Sequence, residues 1–192
     1  PGLLVNVDFE KAFDSIDWGF MFKTLKAFGF GRDLCKWIQT FYHNIKSAVI
    51  VNGRVSNWFT VSRGCRQGDP ISPYLFVLCV EILEIMTRDN NDLKGIHING
   101  VEHKISQYAD DTEFILDGKK KSFETCVSVL DKFGKRSGLF LNHGKTSVIW
   151  LGSRKGSQVK YMEHLGMEWN PPKFKVLGIW FTNDGKDCER LN

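Results

Sequence analysis

The chain has 192 residues, of which 42% are hydrophobic and 13% aromatic, with a formal net charge of +4. That length supports one well-packed core, which rules out a minimal peptide module, and no apolar run approaches the roughly 18 residues needed to span a bilayer as a helix. The modest positive balance is compatible with a polyanionic partner but is shared by many ordinary proteins.

In chain order, Leu3 to Phe9 predicts a first strand that carries Asp8 near its carboxyl end. Ser15 or Asp17 then caps a helix running to about Phe28, with Phe20, Met21, Leu25 and Phe28 as its apolar stripe, and Gly29-Phe30-Gly31 stops it. Arg32 to Tyr42 reads as a second helix. The β-type runs Ser47 to Val51 and Trp58 to Val61 flank Asn52-Gly53, a hairpin signal. Asp69-Pro70 pairs a cap with a first-turn proline, and the apolar stretch to Arg88 predicts a helix lying deep against a sheet. A second hairpin is expected around Asn99-Gly100, between Gly95 and Tyr108, followed by an acidic turn and a strand from Thr112 to Leu116. Ser122 to Arg136 carries the clearest 3.6-residue period, through Phe123, Val127, Leu130 and Phe133. Lys119-Lys120-Lys121 before it reads as a solvated approach to that helix. Short strands at Thr146 to Leu151 and Lys175 to Phe181 close the chain. This order fits an α+β fold with helices on one face of a mainly antiparallel sheet and the other face free to meet a ligand.

The five cysteines, at 35, 65, 79, 126 and 188, are odd in number and too widely spaced for a zinc site. Cys79 and Cys126 fall on apolar helix faces, where they are expected as small buried hydrophobes. A reducing, intracellular compartment follows as the simpler expectation, with nucleus and cytoplasm left open.

Tyr108-Ala109-Asp110-Asp111 is the most informative stretch, because a tight turn between strands places two carboxylates together. Two acids alone do not hold a catalytic metal pair, and Asp8, at the end of another strand, is the candidate third. Acids on separate strand ends can share two divalent ions, one activating an attacking hydroxyl and one stabilising the leaving oxygen of an in-line phosphoryl transfer. Asp8 and Asp110 are the bridging candidates, with Asp111 the third ligand. Hard oxygen ligands favour Mg2+, with Mn2+ as a substitute.

Asn6-Val7-Asp8-Phe9-Glu10-Lys11-Ala12-Phe13-Asp14-Ser15-Ile16-Asp17-Trp18 resembles the first palm motif of reverse transcriptases from non-LTR (LINE-type) retrotransposons, relatives of the group II intron enzymes. The stretch from Arg63 to Phe76, containing Arg66-Gln67-Gly68-Asp69-Pro70, is similar to the second motif, and Tyr108 to Asp111 to the third. Gly138 to Thr146 resembles the fourth, and Val176-Leu177-Gly178-Ile179 the primer-grip region. The resemblance spans about residues 4 to 181, with the motifs in the family's order. It implies a two-layer polymerase palm with a ferredoxin-like antiparallel sheet, a segment at 30–65 bridging toward the fingers, and a primer-grip-like region at 174–181. It also implies an RNA-directed DNA polymerase that adds deoxynucleotides to a primer 3′-hydroxyl, with an RNA template, a DNA primer, dNTP and Mg2+ as partners.

The resemblance assigns residues as well. Asp8, Asp110 and Asp111 form the catalytic carboxylate set, and the backbone carbonyl of Phe9 joins as a metal ligand. Phe13 falls at the sugar-gate position, where a rigid ring clashes with a ribose 2′-hydroxyl and tolerates deoxyribose. Gln67 and Gly68 match the nucleotide-contact motif, with Pro70 starting the supporting helix; Arg66 is open between a phosphate contact and a solvated role. Lys145 matches the lysine that protonates or electrostatically relieves the pyrophosphate leaving group, and Lys11 is placed to steady the acids or meet phosphate. Leu177, Gly178 and Trp180 match the primer grip, where glycine permits close backbone approach and the indole braces or stacks.

The chain begins Pro1-Gly2-Leu3 without an initiator methionine and reads as a fragment whose upstream fingers and full thumb lie outside it. On that reading the isolated chain is weak or inactive, because preorganised positioning supplies much of the barrier reduction, and its uncovered surfaces favour self-association. The alternatives are a group II intron-type reverse transcriptase or maturase fragment, and an inactive domesticated palm serving as a nucleic-acid or protein interaction module.

Overall fold

A computed structural model describes residues 1–182 of the chain, so Cys188 lies outside the described residues. In order the elements are β1 (Gly2–Val7), α1 (Ala12–Ser15), α2 (Trp18–Ala27), α3 (Arg32–Phe41), β2 (Lys46–Ser47), β3 (Ile50–Val51), β4 (Arg54–Val55), β5 (Phe59–Thr60) and α4 (Ser72–Arg88). They continue with β6 (Ile96–Ile98), β7 (Val101–His103), β8 (Ile105–Tyr108), β9 (Asp111–Leu116), α5 (Lys120–Ser137), β10 (Ser147–Leu151), β11 (Glu168–Trp169), β12 (Lys173–Val176) and β13 (Ile179–Thr182).

The main sheet runs β11-β10-β1-β9-β8, antiparallel except for the short β10–β11 pair. Leaving out β11, chain order and sheet order together give a strand, helices, two hairpin-linked strands, a helix and a last strand ordered 4-1-3-2, the ferredoxin-like arrangement. Leu3, Val5 and Val7 pair with Leu116, Phe114 and Thr112, and all six are buried. They meet α2, α4 and α5 through Met21, Leu25, Phe76, Leu83, Phe123 and Phe133. The alternation puts Leu4, Asn6, Glu113 and Ile115 on the opposite face. The fold is α+β, with helices on one face of the sheet, as expected.

Several local expectations shift. α4 starts at Ser72 with Pro73 in its first turn, two residues later than Asp69-Pro70 suggests. Asp69 instead closes a separate turn, its carboxylate accepting from the Ile71 N–H at 3.1 Å and its carbonyl from Ser72. Pro70 therefore precedes the helix rather than starting it. The strand expected from Val101 to Tyr108 divides at Lys104, whose ammonium donates to the carbonyls of Arg88 and Asn90 at 3.1 and 3.0 Å. β7 turns back on β6 around Asn99-Gly100, while β8 joins the main sheet. Lys175 to Phe181 is a hairpin, β12 and β13, rather than one strand. Both its turn residues, Leu177 and Gly178, have positive φ (48 and 86), as a two-residue type I′ turn requires.

Trp150 is fully buried on the helix side and donates its indole N–H to the Val159 carbonyl at 2.8 Å. Tyr161 and Trp169 close around it with ring centroids 5.6 and 6.3 Å away, and Arg154 covers the ring at 5.2 Å. Lys119 caps α5 and Lys120 and Lys121 open its first turn rather than preceding the helix; they pair with Asp117, Glu124 and Asp92 and are exposed. Cys35, Cys65, Cys79 and Cys126 are buried free thiols. Burial pushes Cys65 up to about 11 and Cys79 and Cys126 higher still, so these thiols stay protonated at neutral pH. Among the described residues no helix is long and apolar enough to cross a membrane.

Candidate active site

The acids meet at one end of the sheet because of register. β1 and β9 pair from Leu3↔Leu116 to Val7↔Thr112, and one further step along that register sets Asp8 opposite Asp111, on the face away from the helices. β8 and β9 close at Tyr108↔Asp111, leaving Ala109 and Asp110 as a two-residue turn. Ala109 has φ 53, a left-handed conformation that costs a residue with a Cβ about 1–2 kcal/mol. Asp110 is exposed at the tip.

The carboxyl of Asp111 is held above its ordinary range, first by partial desolvation, then by the charges of Asp110 and Asp8, with Lys175 opposing. Glu113 follows on the same face, buried, with its Oε1 lacking a hydrogen-bond partner among the described residues. Its pKa is also raised, by burial and then by Asp111. These acids therefore repel one another at the sheet end, a donor set whose charge a divalent cation would relieve. Among the described residues no three acidic, histidine or cysteine side chains are already gathered tightly enough to hold a metal ion.

The backbone of Asp8 is tied to the loop after α5. Its N–H donates to the Thr146 hydroxyl at 3.3 Å and its carbonyl accepts from Asn142 at 2.8 Å, while Glu10 N–H donates to the Phe140 carbonyl at 2.9 Å. Phe9 and Leu141 are thus a bridge pair that exchanges no hydrogen bonds with each other, which turns the Phe9 carbonyl away from this loop. Residues 142–146 form a turn out of the ladder, held by Thr146 hydroxyl to Asn142 carbonyl at 2.8 Å, and Lys145 stands exposed on it. Lys11, at φ 47, leads into α1. Asp8, Phe9, Lys11 and Lys145 line one cleft of about 520 Å³, so four of the expected site residues share a single concavity.

A second cleft, about 630 Å³, is lined by Arg66 and Gln67 together with Trp18, Lys46 and Phe59. Its floor is residues 63–65, strapped to the segment before α2. Gly64 N–H donates to Ile16 carbonyl at 2.7 Å, Cys65 N–H to Phe13 carbonyl at 2.6 Å, and the Trp18 indole to Gly64 carbonyl at 2.8 Å. Gly64 is required there: its φ is 89, and a Cβ would lie 2.7 Å from the Asp14 carbonyl oxygen. Gly68, at φ 85, faces open space and lines neither cleft. Phe13 is partly buried and stacks on Phe76, ring centroids 4.2 Å apart at 15°.

The primer-grip candidates sit on the β12–β13 hairpin, with Leu177 and Gly178 exposed at its turn. Asn6 donates to the Lys175 carbonyl at 3.0 Å, which docks the hairpin against the open face. The Lys173 and Lys175 ammonium groups lie 5.1 and 5.7 Å from the Trp180 ring centre. The expected site residues therefore divide among a carboxylate end, two clefts and a hairpin, with Phe13 and Gly68 lining neither cleft. Sequence reasoning gave no role to Arg63, which lines both clefts, to Glu113, or to Lys175, whose charge reaches Asp111. Of these only Glu113 carried a local signal, its place two residues beyond Asp111 on one strand face.

Known proteins are similar over the same span. The family model for reverse transcriptase (RNA-dependent DNA polymerase) matches residues 2–181. A Pol polyprotein of an R2 retrotransposable element from Popillia japonica is 24% identical over 95% of this chain and 31% of its own length. Another R2 Pol polyprotein, from Nasonia vitripennis, is 34% identical over 100% of the chain and 19% of its own length, so the chain spans a third or less of these relatives. Among solved structures, telomerase from Candida Tropicalis with a TWJ fragment of telomeric RNA superposes with TM-score 0.64 at 12% identity, covering 100% of this chain and 29% of that one. The family match runs through both cleft walls, the acidic turn and the hairpin, and by it the chain belongs to the reverse transcriptase (RNA-dependent DNA polymerase) family.

Proposed function

We propose that this chain is the palm of an RNA-directed DNA polymerase of the LINE type, adding deoxynucleotides to a primer 3′-hydroxyl along an RNA template. The observation that carries this reading is the register that sets Asp8 against Asp111 at the end of adjacent strands, with Asp110 beside them and a lysine-bearing cleft adjoining. Asp8, Asp110, Asp111 and the Phe9 carbonyl are the groups that would hold two Mg2+ ions, or Mn2+ in their place; these ions supply activation of the 3′-hydroxyl and charge relief on the leaving oxygen. The raised pKa of Asp111, set first by desolvation and then by the charges of Asp110 and Asp8, supports that fit.

The chain's own groups do the rest. Lys145 relieves or protonates the departing pyrophosphate, Lys11 meets phosphate, and Gln67 with Gly68 presents amide and bare backbone to the nucleotide and template. Arg66 adds a positive charge at the same cleft. The β12–β13 hairpin, with Leu177, Gly178 and Trp180, steadies the primer end. Residues 30–65 bridge toward a fingers region; their exposed Trp37, Phe41, Trp58 and Phe59 support that reading and offer a route to self-association.

Primer extension with an RNA template, DNA primer, dNTPs and Mg2+, using this chain and a longer native form, tests the reading. Extension by the longer form, with little or none by the chain alone, is expected; no extension by either, under Mg2+ or Mn2+, would refute it. The Phe13 assignment predicts that Phe13→Val increases ribonucleotide incorporation relative to deoxyribonucleotide by about tenfold or more, the scale of one removed steric clash. Unchanged sugar preference would leave Phe13 as a packing residue on Phe76 alone.

A further inference from the structure

We propose that Arg63 is a triphosphate-binding residue, its guanidinium gripping the phosphate tail of the incoming nucleotide across the cleft from Lys11 and Lys145. The assignment rests on the polymerase reading for the identity of the ligand, and on geometry for the residue. Arg63 lines both clefts, so it stands on the ridge between the one that holds Asp8, Lys11 and Lys145 and the one that holds Gln67. A nucleotide that lays its base toward Gln67 and its phosphates toward Asp8 crosses that ridge.

The backbone under Arg63 is fixed and its side chain is not. Arg63 pairs with Asp17 as a β-bridge, and the next two amides donate to Ile16 and Phe13. The anchor at Gly64 is backbone against backbone, with no space for a Cβ. The guanidinium, by contrast, is exposed and forms no hydrogen bond or ion pair among the described residues. The acids nearby do not occupy it. Asp17 spends its carboxylate capping α2, accepting from Phe20 N–H at 2.7 Å, and Asp14 shares the outer cleft without closing an ion pair. An arginine on a fixed backbone, with five unused donors and a cleft shared with two lysines, suits a polyphosphate, whose oxygens accept a bidentate fork that a lysine cannot offer.

The test uses the full-length native protein and its Arg63→Ala and Arg63→Lys variants, with three readouts: single-nucleotide extension kinetics, primer–template affinity, and equilibrium binding of inorganic tripolyphosphate with Mg2+. In Arg63→Ala the KM for dNTP is expected to rise by about tenfold or more, the loss expected of a charge-assisted bidentate contact, and tripolyphosphate binding to weaken in parallel. Primer–template affinity and thermal melting are expected to stay as in the wild type, and Arg63→Lys to recover part of the loss. Unchanged KM and tripolyphosphate affinity in Arg63→Ala would overturn the assignment, as would a loss confined to primer–template binding. If the wild-type protein fails to extend a primer yet binds tripolyphosphate in an Arg63-dependent way, the polymerase reading falls and the phosphate site stands; extension indifferent to Arg63 gives the reverse.

Discussion

Asp110→Asn is expected to reduce primer extension by the full-length protein about a thousandfold or more, because a metal-held carboxylate acts where charge develops and an amide cannot replace it. The same change is expected to raise the melting temperature of the metal-free protein at neutral pH. Asp111 is held above its ordinary range by desolvation and by Asp110 and Asp8, so the folded chain binds that proton more tightly than the unfolded chain. Ionising Asp111 therefore works against folding: the penalty is absent below the usual carboxylate range, grows as pH rises through it, and is complete above the raised value. Removing the Asp110 charge lifts part of that penalty, so the stability gain should appear near neutrality and vanish on acidification. The effect is small, since the turn is exposed and solvent screens it. Melting curves of wild type and Asp110→Asn from acid to neutral pH, with and without Mg2+, check the sign; a gain that persists in acid would contradict it.

Gly64→Ala is expected to cost about 2–5 kcal/mol of stability, combining left-handed strain with the loss of one or two strap hydrogen bonds. At 2.7 to 2.9 Å from the Asp14 backbone, the new methyl cannot be accommodated by a side-chain rotation, so residues 63–65 must lift from the segment before α2. Gly68→Ala is the matched comparison: its φ is nearly the same, but nothing lies within 4 Å, and only the conformational penalty of about 1–2 kcal/mol applies. Chemical denaturation of the two variants separates strain from collision. Equal losses would show that the strap yields freely.

Much of the architecture was readable because it is written in short-range periodicities. Leu3, Val5 and Val7 alternate with polar or half-buried neighbours, and Asn52-Gly53 and Asn99-Gly100 adopt the positive φ values their types favour. The acidic turn was equally legible, since two carboxylates between two β runs have few other arrangements. What escaped depends on contacts between distant residues. Lys104 sits inside an unbroken β-type run, and only the carbonyls at the end of α4 explain why the run divides there. Trp150, which carried no assignable job, is the centre of an aromatic cluster drawn from residues 123, 161 and 169. The start of α4 was misjudged because an aspartate before a proline serves a tight turn as well as a helix cap. Arg63 is one more arginine in a basic chain until the strap lifts it onto a ridge between two clefts.

β1 is paired along both edges, with β10 on one side and β9 on the other, whereas the β12–β13 hairpin forms a two-stranded sheet of its own, with Asn6 donating to its Lys175 carbonyl. Amide hydrogen exchange should therefore see two populations. The Val5 and Val7 amides should open only when the whole domain unfolds, and those of the hairpin should open in local excursions that leave the sheet intact. On the proposed reading, the strands that carry Asp8 and Asp111 would then open more slowly than the hairpin proposed to hold the primer, which would let a nucleic-acid strand slip forward one step while those strands keep their places.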